Sequence, residues 1–227
     1  MKRSEIQGAI RKAKRALKNH HFYLPMFADW DLLEWKTHLS DAETIVKTMR
    51  GWDVTDFDSG DFKNYGAVLF TIRNGTLDGK LGCPYAEKII VMEKGQKLPL
   101  HYHVSKTEDI INRGGGTLVI QVYNALPDGS VDTSGDVPVY TDGLLRTVPA
   151  GTRIAITPGN SMMIYPRLYH LFCAEDTDDC LIVGEVSSIN DDHADNFFAE
   201  ERGRFSQIVE DEPWQIPLVN EYERLRS

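Results

Sequence analysis

Residues 4–18 repeat apolar positions at helical spacing. Ile6, Ile10, Ala13 and Leu17 fall on one face, and lysines and arginines fill the other. Ser4 followed by Gln7 has the spacing of a capping box, so the helix is expected to begin there. His20 and His21 follow its end, where a basic residue suits the carbonyl end of the helix dipole. Residues 22–50 are dense in aromatic side chains (Phe22, Tyr23, Phe27, Trp30, Trp35) and carry two short helical patterns, at 32–35 and 42–47. Such a stripe suits packing against a larger body or a second subunit, with stacking of a tryptophan on a sugar as the alternative.

From residue 51 the period changes. Short apolar runs occur at 68–72, 87–92, 117–122, 153–156, 161–165 and 181–186, punctuated by glycine, proline and aspartate. Many short strands so punctuated indicate a barrel or a sandwich. Residues 73–76 read as a turn. Asp53, Asp56, Asp58 and Asp61 lack the spacing and closing glutamate of a calcium loop, so this acidic stretch is expected to face solvent. Residues 125–147 hold turn formers and are expected to make an excursion outside the barrel. The expected division is a helical extension at 1–50, packed on a β-barrel with a C-terminal active-site segment at 51–227.

A chain of 227 residues, 41% hydrophobic, suits one elaborated domain with a real core. No apolar run approaches the roughly 18 residues of a membrane span. Met1 to Glu5 lacks the apolar stretch of a secretory leader. Cys83, Cys173 and Cys180 are odd in number and lack CxxC spacing, which reads as reduced thiols in a cytoplasmic protein. A net charge of −9 without a basic stripe argues against nucleic acid and leaves a small neutral substrate open.

The chemistry concentrates at 95–116. His101 and His103 are two residues apart, so on a strand both imidazoles leave one face. Glu108 follows after enough chain for a turn and the start of a returning strand. Two imidazoles and a carboxylate suit a divalent transition metal, although an H-x-H pair alone also suits a polar surface. The longer pattern, Gly95, His101, His103, Glu108 and Gly115, resembles the first signature of the cupin superfamily. That resemblance implies an all-β core, a double-stranded β-helix or jelly-roll barrel. Pro166 and His170, after an apolar strand, look like the second signature, which makes His170 a further ligand. Leu168 stands where that signature prefers glycine and His170 falls one residue early, implying a differently shaped turn. Three histidines and a glutamate would leave two places on an octahedral ion for adjacent substrate oxygens.

The run from His101 through Lys106, Glu108 and Arg113 to Gly116, the later Gly184 to Asp192, and Gly203-Arg204-Phe205 resemble the D-lyxose ketol-isomerase family over the whole chain. The resemblance implies a cytoplasmic homodimer that interconverts D-lyxose with D-xylulose, and often D-mannose with D-fructose. It also implies a divalent ion, Mn2+ first, with Zn2+, Co2+, Fe2+ or Ni2+ as alternatives. Proton transfer through a cis-enediol needs a carboxylate base and a group that stabilises the enediolate. By resemblance Glu200 is the base, with Glu185 as the alternative on a barrel strand, and Lys106 is placed near the substrate oxygens. Arg113, Asp191, Asp192 and Glu185 are candidates for binding hydroxyls. A metal-dependent dioxygenase and a non-catalytic sugar-binding module are the rival readings. No glycine-rich phosphate loop stands out, which favours a free sugar.

Overall fold

The computed structural model describes residues 1–177, 179–189 and 195–226. Helix α1 spans Arg3–Asn19. Its start differs from the expected Ser4 cap: the Lys2 N–H donates to the Glu5 carboxylate at 2.7 Å. Ser4 and Gln7 are engaged elsewhere, Ser4 donating to Asp211 at 2.7 Å and Gln7 to Glu212, so the distant C-terminal segment replaces the local cap. A single 3-10 turn at Met26–Ala28 follows, then α2 (Leu32–His38) and α3 (Glu43–Lys47). The Asp31 carboxylate starts α2 by accepting the N–H groups of Leu33 and Glu34 at 2.8 and 2.9 Å.

The strands are β1 Gly51–Thr55, β2 Ala67–Gly75, β3 Gly82–Glu93, β4 Lys97–His103, β5 Glu108–Gly114, β6 Thr117–Ala125 and β7 Val131–Asp132. They continue as β8 Asp136–Thr141, β9 Leu144–Pro149, β10 Arg153–Ile156, β11 Ser161–Ile164, β12 Leu168–Glu175, β13 Cys180–Ser187 and β14 Asn196–Phe198. One sheet runs β1-β2-β3-β13-β5-β11-β8-β9; the other runs β10-β6-β12-β4-β14, with β7 beside β6. Three local expectations are corrected. Residues 73–75 continue β2 instead of turning, paired with β3 through register shifts. Asp53 lies on β1 and both Asp53 and Asp56 are buried, because Arg204 and Ser206 from the C-terminal segment bond to them. Residues 125–147 are not wholly an excursion: β8 joins the larger sheet through β11 and its Val137 and Val139 enter the barrel core, while β9 stays an exposed edge strand.

The β1-β2-β3-β13 end of the larger sheet is buried on both faces, which explains its continuous apolar runs. Along β2, β3 and β13, Val68, Phe70, Ile89, Val91 and Ile182 point outward, onto a layer with Ile6, Ile10, Leu17 and Trp35 of the helical segment. Leu69, Ile90, Met92, Leu181 and Val183 point inward. There they meet Leu118, Ile120, Val122 and Phe172 of the smaller sheet. The two sheets therefore close over one apolar filling, a jelly-roll barrel. The inward parity also reaches Lys88 on β3, Glu185 on β13 and Glu108 on β5, so three charged side chains enter the barrel at one end.

Candidate active site

On β12 the inward set is Leu168, His170, Phe172 and Ala174. Its partner β4 breaks step: His170 pairs with His101, yet Phe172 pairs with Leu98. Two residues of β4, Pro99 and Leu100, stand opposite Leu171 alone. This is a one-residue bulge, which lets Leu98 face the core and then turns His101 and His103 to the same side. It also accommodates Pro99, which cannot donate to a regular ladder. The turn into β12 is shaped by Arg167, whose φ of 67° takes the left-handed conformation that a glycine would ordinarily supply.

The three imidazoles are buried, and their ligating nitrogens lie within 4.8 Å of one another. His101 donates Nδ1–H to the Pro99 carbonyl at 2.8 Å, and His170 to the Leu168 carbonyl at 3.0 Å. A carbonyl only accepts, so Nε2 of each ring keeps its lone pair. Burial pushes His170 down to about 4. Burial likewise holds His101 well below the ordinary range, with His170 and His103 adding to it. Both rings are thus neutral at physiological pH, the form in which an imidazole can ligate a metal. His170 Nε2 is buried without a hydrogen-bond partner. An unfilled buried acceptor costs about 1–3 kcal/mol. Three imidazoles beside a carboxylate fit a divalent transition metal, to which that nitrogen could offer its lone pair.

Glu108 approaches His103 Nε2 at 3.3 Å and His170 Nε2 at 3.5 Å. Burial alone would raise its pKa, but the Lys106 ammonium and His103 overcome this and hold it well below the usual carboxylate range. Lys106 Nζ sits 2.7 Å from Glu108 and 3.0 Å from Glu185, and Lys88 Nζ lies 3.6 Å from Glu185. Two buried lysines thus face two buried glutamates. The pocket encloses about 480 Å³ counted out to its open mouth. Its apolar wall includes Phe57, Leu69 and Phe198, and the Phe198 ring lies 5.5 Å from that of His101.

The structure brings together His101, His103, His170, Glu108, Lys106 and Glu185. It does not bring in Glu200, whose side chain is 77% exposed and ion-paired with Arg202 at 3.0 Å. Arg113 lies outside the barrel, its side chain over Gly184. Asp191 and Asp192 lie outside the described residues. Sequence reasoning missed Lys88 and Arg204, both in the pocket wall, and the buried Asp195. Lys88 was legible through parity, being two residues before Ile90 on the same inward row. Arg204 carried no local signal, because its partner Asp53 is distant in sequence.

Double-sheet barrels of this class are found in solved sugar isomerases. The structure matches L-ribose isomerase of Acinetobacter sp. DL28 with a TM-score of 0.61, at 16% identity over 92% of this chain and 98% of that one. The enzyme of Cellulomonas parahominis matches with a TM-score of 0.60, at the same identity and coverage. At that identity the likeness concerns the fold, and the fold with its inward histidines defines a cupin-type protein. A profile described as D-lyxose isomerase matches residues 1–222. A D-lyxose/D-mannose isomerase of Escherichia coli O157:H7 is 40% identical over the full length of both chains. One of Serratia proteamaculans is 40% identical over 99% of each. The chain belongs to the D-lyxose isomerase family and is a sugar isomerase. Among the described residues no helix is long and apolar enough to cross a membrane.

Proposed function

We propose that this enzyme is a divalent-metal-dependent aldose–ketose isomerase of free sugars. Its substrates would be D-lyxose with D-xylulose, and D-mannose with D-fructose. The observation that carries this reading is His170 Nε2, buried without a hydrogen-bond partner beside two further histidines and the pocket-lining Lys106–Glu108–Glu185 row. His101, His103, His170 and Glu108 would hold the ion, Mn2+ first and Zn2+, Co2+, Fe2+ or Ni2+ otherwise. When bound it would supply a Lewis acid to polarise the sugar carbonyl.

The remaining work falls to this chain's own side chains. Isomerisation moves one proton between C1 and C2 and another between their oxygens. Lys106 stands where its ammonium can donate to an oxygen that gains charge as the enediolate forms. Lys106 and Lys88 are matched by Glu108 and Glu185, so the row supplies no surplus negative charge to repel that anion. Glu200 is the proposed base. Its backbone is tethered beside β4, since the Ala199 N–H donates to the Leu100 carbonyl at 2.9 Å, and its side chain must swing inward from Arg202 to act. Glu185 already lines the pocket and is the second candidate. For the distal hydroxyls the pocket offers Lys88 and Arg204, where the sequence had suggested Arg113. We place the enzyme in the cytoplasm as a homodimer; three free cysteines agree with the first, and sedimentation tests the second.

The test is metal analysis of the purified enzyme, then exhaustive chelation and an anaerobic assay with D-lyxose and D-mannose. Turnover should vanish without metal and return with Mn2+, while the fold survives. Full activity in demonstrably metal-free protein would remove the metal reading, and activity that requires oxygen would remove the isomerase one.

A further inference from the structure

Asp195 opens the segment that runs into β14, and only 8% of it is exposed. Its Oδ1 accepts the Ser105 N–H at 2.8 Å and the Ser105 hydroxyl at 2.7 Å. Its Oδ2 accepts the Lys106 N–H at 3.1 Å, and its carbonyl accepts the Val104 N–H at 3.0 Å. One residue from a distant part of the chain thus holds Val104, Ser105 and Lys106 in the turn between the histidine strand β4 and the glutamate strand β5. The same Oδ2 lies 3.7 Å from His103 Nδ1, a buried atom with no hydrogen-bond partner. His101 and His170 are built differently. Each is fixed by a carbonyl two residues earlier on its own strand. His103 turns its Nε2 toward Glu108 and its Nδ1 toward a side chain from outside the strand.

We propose that Asp195 is a positioning residue of the metal centre, accepting the Nδ1–H of His103 so that Nε2 faces the ion while the same carboxylate locks the turn that carries Lys106. The inference rests on the metal reading above. A separation of 3.7 Å exceeds a hydrogen bond. Hydrogen bonds of catalytic sites often tighten only in the loaded complex, and the proposal requires this one to shorten. A carboxylate behind a metal-bound imidazole fixes its tautomer and raises its basicity, and removing such a partner typically lowers metal affinity about 10–100-fold. Asp195 belongs to the same segment as Phe198, which packs on His101, and Asn196, which lines the pocket. Seating of that segment and the aim of His103 are therefore one event.

The experiment measures binding of Mn2+ alone to metal-stripped protein by calorimetry, in wild type, Asp195→Asn and Ser105→Ala. Ser105→Ala removes one bond to Asp195 and leaves the His103 contact in place, so it reports what loosening the turn does by itself. Asp195→Asn is expected to weaken Mn2+ about 10–100-fold, with Ser105→Ala close to wild type. The d–d absorption of Co2+-loaded protein should shift in Asp195→Asn and hold in Ser105→Ala. Wild-type affinity in Asp195→Asn, or equal weakening in both variants, overturns the proposal. A measurement on unmutated protein stands beside this one. Long-range nitrogen–proton NMR of the Zn2+-loaded enzyme should show His103 protonated at Nδ1, and a His103 bound to metal through Nδ1 overturns the proposal without recourse to a variant. Failure of wild type to bind any divalent ion would instead overturn the metal reading itself.

Discussion

At the start of α1, Arg3 is completely buried between Glu210 and Glu221; inside the barrel, Lys106 is buried between Glu108 and Glu185. Both are cations enclosed by two carboxylates, and both join residues far apart in the chain. They differ in saturation. Arg3 reaches Glu210 through Nε and Nη2 at 2.9 Å each, and reaches Glu221 through Nη1 at 2.9 Å and again through Nη2. Glu221 also accepts from the Leu218 N–H at 3.0 Å and from Trp214 at 3.2 Å. Among the described residues, no buried side-chain atom of that cluster is left without a partner. Around Lys106, His170 Nε2 is buried with no hydrogen-bond partner, and the neighbouring His101, His103, Lys106 and Glu108 line the pocket. Buried charge alone therefore does not mark a site. Unfilled polar atoms at the edge of a cavity do, because only they have bonding left to offer a ligand.

The largest expected effect separates the two clusters outright. His101→Ala should lose bound metal and drop turnover to the detection limit while the barrel stays folded, read by elemental analysis, sugar assay and circular dichroism. Wild-type metal occupancy would refute the ligand assignment. Next comes the proton. Glu200→Gln should keep the metal and lower turnover about 10²–10⁴-fold, roughly 3–5 kcal/mol of barrier. In deuterated water the wild type should place label at C2 of aldose formed from ketose, and Glu200→Gln should not. Normal labelling in that variant would move the role to Glu185, whose own Gln variant is the paired measurement.

Arg3→Ala should do the opposite. It removes the buried cation of Glu221, leaving the half-exposed Arg224 at 2.7 Å as its remaining cationic partner, and should destabilise the fold by about 3 kcal/mol in urea titrations, while turnover per folded molecule is kept. A fall in turnover without a fall in stability would show that the clasp acts on the site. The smallest effect concerns acid. Hydrogen bonding from Arg3 leads in holding Glu210 down to about 2, with Arg224 adding to it. A depressed carboxylate contributes stability that is present above its ordinary value near 4.5 and lost as pH falls toward 2. The side chain is 42% exposed, so solvent weakens that contribution. Urea midpoints should drop between pH 5 and pH 2.5, and the drop should flatten in Arg3→Ala. An identical slope in both proteins would rule out Glu210 as its source.

The features legible in the sequence were those carried by local period. The i, i+2 rule placed His101 and His103 on one face, and the short apolar runs became strands. What escaped depended on partners distant in the chain. Asp53 looked solvated until Arg204 covered it. Ser4 looked like a cap until Asp211 took its hydroxyl. Val137 and Val139 sat among turn formers, so their strand was hidden until β11 gave it an edge to join. Glu200 was chosen by resemblance, which says nothing about a side-chain rotamer, and the structure leaves it turned outward.

The single extra residue in β4 acts as a phase shift in an alternating wave. Upstream of it the wave is in phase with the apolar core at Leu98; downstream it is in phase with the ligands at His101 and His103. Deleting Leu100 would merge the two phases, and then either the leucine or both histidines must face the wrong way. This strand is therefore sensitive to length as well as to composition. Surface loops of the same protein can gain or lose a residue at little cost, but here an insertion or deletion would force a choice between folding and chemistry.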